Sequence, residues 1–155
     1  MNITNLQNML DSGQLRQESF RKLDIITRMS IAGGRIRSAD FLLKNNNNDE
    51  GIDSSAYSEL YQSYRIICEC LLSIYGYRVS GSKGHHEAAI NSIRLTMDDE
   101  ENFVIYSRMK NICKRRNDLD YGAGFNISND ELAAMLSDVK DIHEKAMTLI
   151  NEHQE

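Results

Sequence analysis

The string Lys114-Arg115-Arg116-Asn117-Asp118-Leu119-Asp120-Tyr121 holds the side chains of this chain best suited to gripping an anion. On a helix, Arg116 and Asp120 stand four residues apart, as do Asn117 and Tyr121, so the four form two adjacent rows at one helix end. Arginine brings a planar donor fork matched to phosphate, asparagine can orient that fork or a ribose, and tyrosine can donate a hydrogen bond. Arg116 also falls where the apolar spacing of Ile105, Met109 and Ile112 calls for a hydrophobic residue, just ahead of Leu119. A charge aimed at a packing face needs a partner: a carboxylate, a phosphate, or a second copy of the same surface. The plainer arrangement is an Arg116 to Asp120 pair that caps the helix, with Tyr121 packed over its end.

The elements that position this string read as helices. The chain has no proline, and its long stretches repeat with helical period, so the turn punctuation of a β protein is missing. A first helix over about residues 16 to 44 carries the seam Ile25, Met29, Ala32, Ile36, Ala39 and Leu43. Arg21, Arg28 and Arg35 recur on one flank of it, and Gly33 and Gly34 offer a close helix approach. Asn45 to Asn48, with Asp49, Glu50 and Gly51, form a polar connector. A second helix over about residues 55 to 76 has the seam Tyr57, Leu60, Tyr64, Ile67, Leu71 and Ile74, flanked by Tyr61, Cys68 and Tyr75. Tyrosines at that spacing are core residues before they are a base-stacking platform.

Gly76 ends this helix, and a loop to Gly84 leads into a short helix holding His85, His86, Ala89, Ile90 and Ile93. The Arg116 seam runs over about residues 100 to 120 and stops at Gly122 and Gly124. A last helix opens on the capping box Ser128 to Glu131 and runs to about residue 152, with the seam Leu132, Leu136, Val139, His143, Ala146 and Ile150. The expected fold is all-α, a single domain over residues 1–155 built as an antiparallel up-and-down bundle of four to five helices.

Several chemistries fall away. The chain has no Glu-x-x-His, so a di-iron carboxylate site is not expected. His85, His86, His143 and His153 lack zinc-ligand spacing, and His143 on its apolar face reads as a core histidine. Gly81-Ser82-Lys83-Gly84 matches no phosphate loop. Neither a metal nor a cofactor is expected. No apolar run approaches the roughly 18 residues of a membrane helix, the polar start Met1-Asn2-Ile3-Thr4-Asn5 is not a secretory signal, and Cys68, Cys70 and Cys113 suit neither a disulfide framework nor zinc. A cytoplasmic protein that avoids membranes is the expectation.

The net charge of -5 argues against a general nucleic-acid binder, yet the charge is unevenly spread. Residues 1–44 and 102–121 are each +3, whereas 45–101 are -6 and 122–155 are -5. The two basic segments make an anion-attracting patch if they lie together, and are solvated faces if they do not.

Arg116-Asn117, three residues, then Tyr121 resembles the signature of HEPN domains, the higher eukaryotes and prokaryotes nucleotide-binding family. The order of elements is similar too: a leader Leu10 to Leu15 before a long helix, the Tyr57 to Tyr75 helix, then a Gly-rich loop leading to His85-His86 and Ala88-Ala89-Ile90. The resemblance implies a four- or five-helix bundle that forms a homodimer, with the Arg-Asn segments of both protomers facing a shared cleft. Active members are metal-independent endoribonucleases, often toxins or antiphage effectors, with a motif of Arg, four to six residues, then His. Others lack the histidine and accompany a minimal nucleotidyltransferase, or bind nucleotides or RNA without cutting.

Here the histidine position falls on Tyr121, or on Asp120 if Arg115 starts the motif. Tyrosine has an ordinary pKa of about 10 and is a poor base near neutrality. The favoured expectation is therefore a non-catalytic or weakly catalytic nucleotide- or RNA-binding module with Arg116, Asn117 and Tyr121 at its centre. Arg115, Asp120, His85 and His86 are further binding candidates, and a nucleotidyltransferase-type protein is the expected partner. The alternative is a ribonuclease in which Tyr121, His85 or His86 assists, and a third is a dimer whose Arg116 merely pairs across the interface.

Overall fold

The computed structural model describes residues 2–81, 84–97, 99–119 and 127–153, with side chains described for all of these but 3 and 116–119. Six helices and one small sheet make up the described residues: α1 (Ile3–Asp11), β1 (Leu15–Gln17), α2 (Lys22–Lys44), α3 (Glu50–Ser73), β2 (Tyr77–Val79), α4 (His85–Thr96), α5 (Glu100–Leu119) and α6 (Asn129–Glu152).

Most seam positions bury, but Leu43, Ile74, Leu136 and His143 are only half-buried, and Met135 and Ile142 join the buried face of α6. Ile25, Met29, Ala32, Ile36 and Ala39 of α2 meet Tyr57, Leu60, Tyr64, Ile67 and Leu71 of α3, and all belong to one core with Leu132, Val139, Ala146 and Ile150 of α6. Leu60, Tyr64, Ile67 and Leu71 are fully enclosed. Burying an aliphatic side chain of this size contributes about 1.5–3 kcal/mol, so α3 is the main beam of the molecule. Gly33 lets α6 approach closely: a Cβ there would sit 3.3 Å from His143 Nε2. His143 in turn bonds the Met29 carbonyl at 3.0 Å, which makes it a satisfied, half-buried core histidine. Gly34 has only the tip of Arg37 nearby and serves no such approach.

Side-chain pairs fix the helix directions. Ser63 to the Ala32 carbonyl and Arg35 to Glu59 run α2 and α3 antiparallel. Lys22 to the His153 carbonyl and Lys140 to Asp40 do the same for α2 and α6. Arg108 to Asp138 and Lys145 to Glu101 set α5 against α6, and Tyr106 to Asn91 sets α5 against α4. Taken together, these relations leave α3, α4 and α6 pointing one way and α2 and α5 the other.

Three expectations need correction. Residues 16 to 21 are not helical: Leu15–Gln17 form a strand, and α2 begins only at Lys22. Leu15 is buried in a second, smaller core with Leu6, Leu72 and Leu95, and its strand pairs with Tyr77–Val79, so long-range pairing overrides local preference. The stretch from Gly76 to Gly84 is accordingly more than a loop, since it carries β2. The second helix spans Glu50–Ser73 rather than 55 to 76, because Asp49 caps it by accepting from the Gly51 amide at 2.8 Å. Gly76 lies beyond its end, at φ +78° in the turn into β2. The capping box at Ser128 and Glu131 is present as read.

Among the described residues no helix is long and apolar enough to cross a membrane. Cys68, Cys70 and Cys113 form no disulfide. Burial pushes Cys68 well up and Cys70 up to about 11, so neither supplies a thiolate near neutrality.

Candidate anion-binding site

α5 reaches its C-terminal end pinned along α6. Arg108 donates to both Asp138 oxygens at 2.8 and 2.6 Å, Lys145 pairs with Glu101 at 2.9 Å, and Arg115 pairs with Glu131 at 2.5 Å. Glu131 has two tasks, since it also accepts from the Ser128 amide at 2.9 Å to close the capping box. That amide first, and Arg115 second, hold its carboxyl below the usual range. Arg115 is thus half of a structural tie. Ile105, Met109 and Ile112 are buried, so the helix face leading to Arg116 is a packing face. The backbone stays helical through Leu119, which carries Arg116 and Asn117 on α5. The side chains of Arg116 and Asn117, and the whole of Asp120 and Tyr121, lie outside the described residues.

The histidine pair opens α4 on the side of α3. His86 Nδ1 meets the Tyr61 hydroxyl at 3.2 Å, with the two rings stacked at 6.1 Å. Tyr61 stacks in turn on Tyr57, and His85 lies edge-on to His86 at 4.1 Å. Tyr57, Tyr61 and Tyr64 are all buried, so these tyrosines are core residues and not a stacking platform. Tyr75 packs against His153 at the far end of α3.

His85 lines a cavity of about 280 Å³ with Arg16, Arg28, Arg65, Arg78 and Glu69. Only His85 of this group was singled out for binding from the sequence. Among the described residues α2 packs chiefly on α3 and α6, and α5 on α4 and α6, so the two basic segments do not merge into one patch. Arg28 instead meets arginines from the acidic middle of the chain. The flank of Arg21, Arg28 and Arg35 divides its labour: Arg28 and Arg35 reach Glu69 and Glu59 on α3, and Arg21 stays at the surface with Asp24. No group of three or more His, Cys, Asp or Glu side chains among the described residues could hold a metal ion. No protein-family model, curated protein or solved structure matches the chain.

Proposed function

We propose that this chain is a HEPN-like module that binds nucleotides or RNA through Arg116, Asn117 and Tyr121 and cuts weakly or not at all. On this reading it is an antiparallel bundle of four to five helices, forms a cytoplasmic homodimer across the Arg116 segments, and works beside a nucleotidyltransferase-type partner. The antiparallel pairings of α2 with α3 and of α5 with α6 are in keeping with such a bundle. The return of the chain between α3 and α4 accounts for the one step that does not alternate.

The observation that favours binding over cleavage is the engagement of His86 with Tyr61 inside the α3 and α4 packing. A general base must reach the proton it removes, and a ring held on a buried tyrosine is poorly suited to that. His85 is drawn toward the arginine-lined cavity instead. With Arg115 tied to Glu131, Arg116 is the arginine of the pair left to carry the proposed contact.

Total RNA incubated with the purified protein in chelator tests the reading. Retention of intact RNA, lost in Arg116→Ala, is the expected result. Cleavage that disappears in Arg116→Ala would replace the binding module with a metal-independent ribonuclease. Loss of dimerisation in that variant with RNA retention unchanged would reduce Arg116 to an interface residue.

A further inference from the structure

Arg16 on β1, Arg28 on α2, Arg65 on α3 and Arg78 on β2 converge on the cavity beside His85, from four separate elements. Two glutamates serve all four guanidinium groups. Glu69 accepts from Arg28 on one oxygen and from Arg65, at 2.7 Å, on the other. Glu18 accepts from Arg16 at 2.9 Å and from Arg78 at 2.8 Å, again one oxygen each. Among the described residues four positive charges face two negative ones, which leaves a surplus of two around a cavity that also presents Ser73 and Ser80.

This arrangement is receptive to a further anion. Arg16 and Arg78 are direct partners across the two-stranded ladder, where like charges destabilise a sheet. Each guanidinium has five N–H donors, and among the described residues Arg16 and Arg78 each use one of them, on Glu18. Arg65 and Glu69 are only 23% and 19% exposed, so their charges are less screened than those of a surface pair.

We propose that this cavity is a binding site for a phosphate monoester. Such a group carries a charge of about -1.5 to -2 near neutrality and three strong acceptor oxygens, which matches both the surplus and the unused donors. A carboxylate or a phosphodiester brings one charge and leaves an arginine uncompensated. The volume lies just under the usual range of about 300–1,000 Å³ for small-molecule pockets. It fits a phosphoryl group with a body the size of a sugar, not a nucleic-acid strand. The described lining includes no residue of the Arg116 segment, and the proposal does not rest on the proposed function.

Titration with inorganic phosphate and with a hexose phosphate, followed by ³¹P NMR and calorimetry, tests it. Saturable binding is expected in the wild type, weakened about tenfold or more in Arg78→Gln. The same affinity should persist in the surface variant Lys140→Gln, and dimethyl phosphate should bind more weakly than the monoester. Arg16→Gln, which also touches only Glu18, repeats the test if Arg78→Gln does not fold. No saturable binding at millimolar phosphate, equal affinity in the arginine variants, or equal affinity for monoester and diester would each overturn the proposal. A short RNA that displaces the hexose phosphate through the same arginines would also overturn it, in favour of a strand-binding groove.

Discussion

The seam between α5 and α6 and the cavity between α2, α3 and the sheet are both rich in arginine, yet they balance their charges differently. Across the seam of α5 and α6 three cations have carboxylates of their own: Arg108 with Asp138, Arg115 with Glu131, and Lys145 with Glu101 and Asp141 together. Around the cavity two arginines share each glutamate. The first arrangement is a closed set of ties that fixes helix register. The second leaves positive charge that only an outside anion neutralises. Local charge stoichiometry, and not the net charge of -5, therefore indicates where this molecule attracts anions.

The largest effect is expected from breaking the beam that supports both regions. Leu60→Ala empties a fully buried position on α3 and should cost about 2–5 kcal/mol in denaturant unfolding. Next comes the balanced seam. Arg108→Met strands the nearly enclosed Asp138 carboxylate and should cost about 1–3 kcal/mol, toward the lower end because Arg108 is itself half exposed. By contrast, Arg78→Gln should leave unfolding almost unchanged, since Arg78 is exposed and Glu18 keeps Arg16.

Ser128→Ala removes the cap that holds Glu131 near Arg115 and should cost about 1 kcal/mol. Gly34→Ala, whose Cβ would make only an ordinary contact with the tip of Arg37, should raise stability by up to about 1 kcal/mol, whereas the same change at Gly33 must displace His143. A further small effect is a pH dependence at Glu18. Its pairing with Arg78, and then with Arg16, holds its carboxyl below the usual 4.5 in the folded protein. The stabilisation is thus present above that value and fades as the pH falls through the lower folded one. The stability gap between wild type and Glu18→Gln should narrow on acidification below pH 4.5, measured by thermal unfolding at successive pH values.

Much of the helical framework is legible in the sequence because burial of one helix face imposes the alternating four- and three-residue spacing. Ile25 through Ala39 carry that signal in full, whereas on α6 the buried face also takes in Met135 and Ile142 and leaves Leu136 and His143 half-buried. The sheet is not legible, since Leu15 pairs with Val79 across most of the first half of the chain and each strand is three residues long. The cavity is hidden for a related reason. Arg65 and Arg78 belong to the segment of net charge -6, so a sum along the chain conceals what folding gathers in space. Arg116 stands out the opposite way, as a local pattern readable from eight consecutive residues. Its companions Asp120 and Tyr121 lie outside the described residues, so that pattern rests on sequence alone.

The contrast between shared and matched arginines is tested most directly by following the arginine Nε–H signals by NMR as inorganic phosphate is added. Arg16, Arg28, Arg65 and Arg78 should shift together along one saturating curve, while Arg108 and Arg115 stay in place. Movement of Arg108 and Arg115 on the same curve, or no movement of the four around the cavity, would contradict the account.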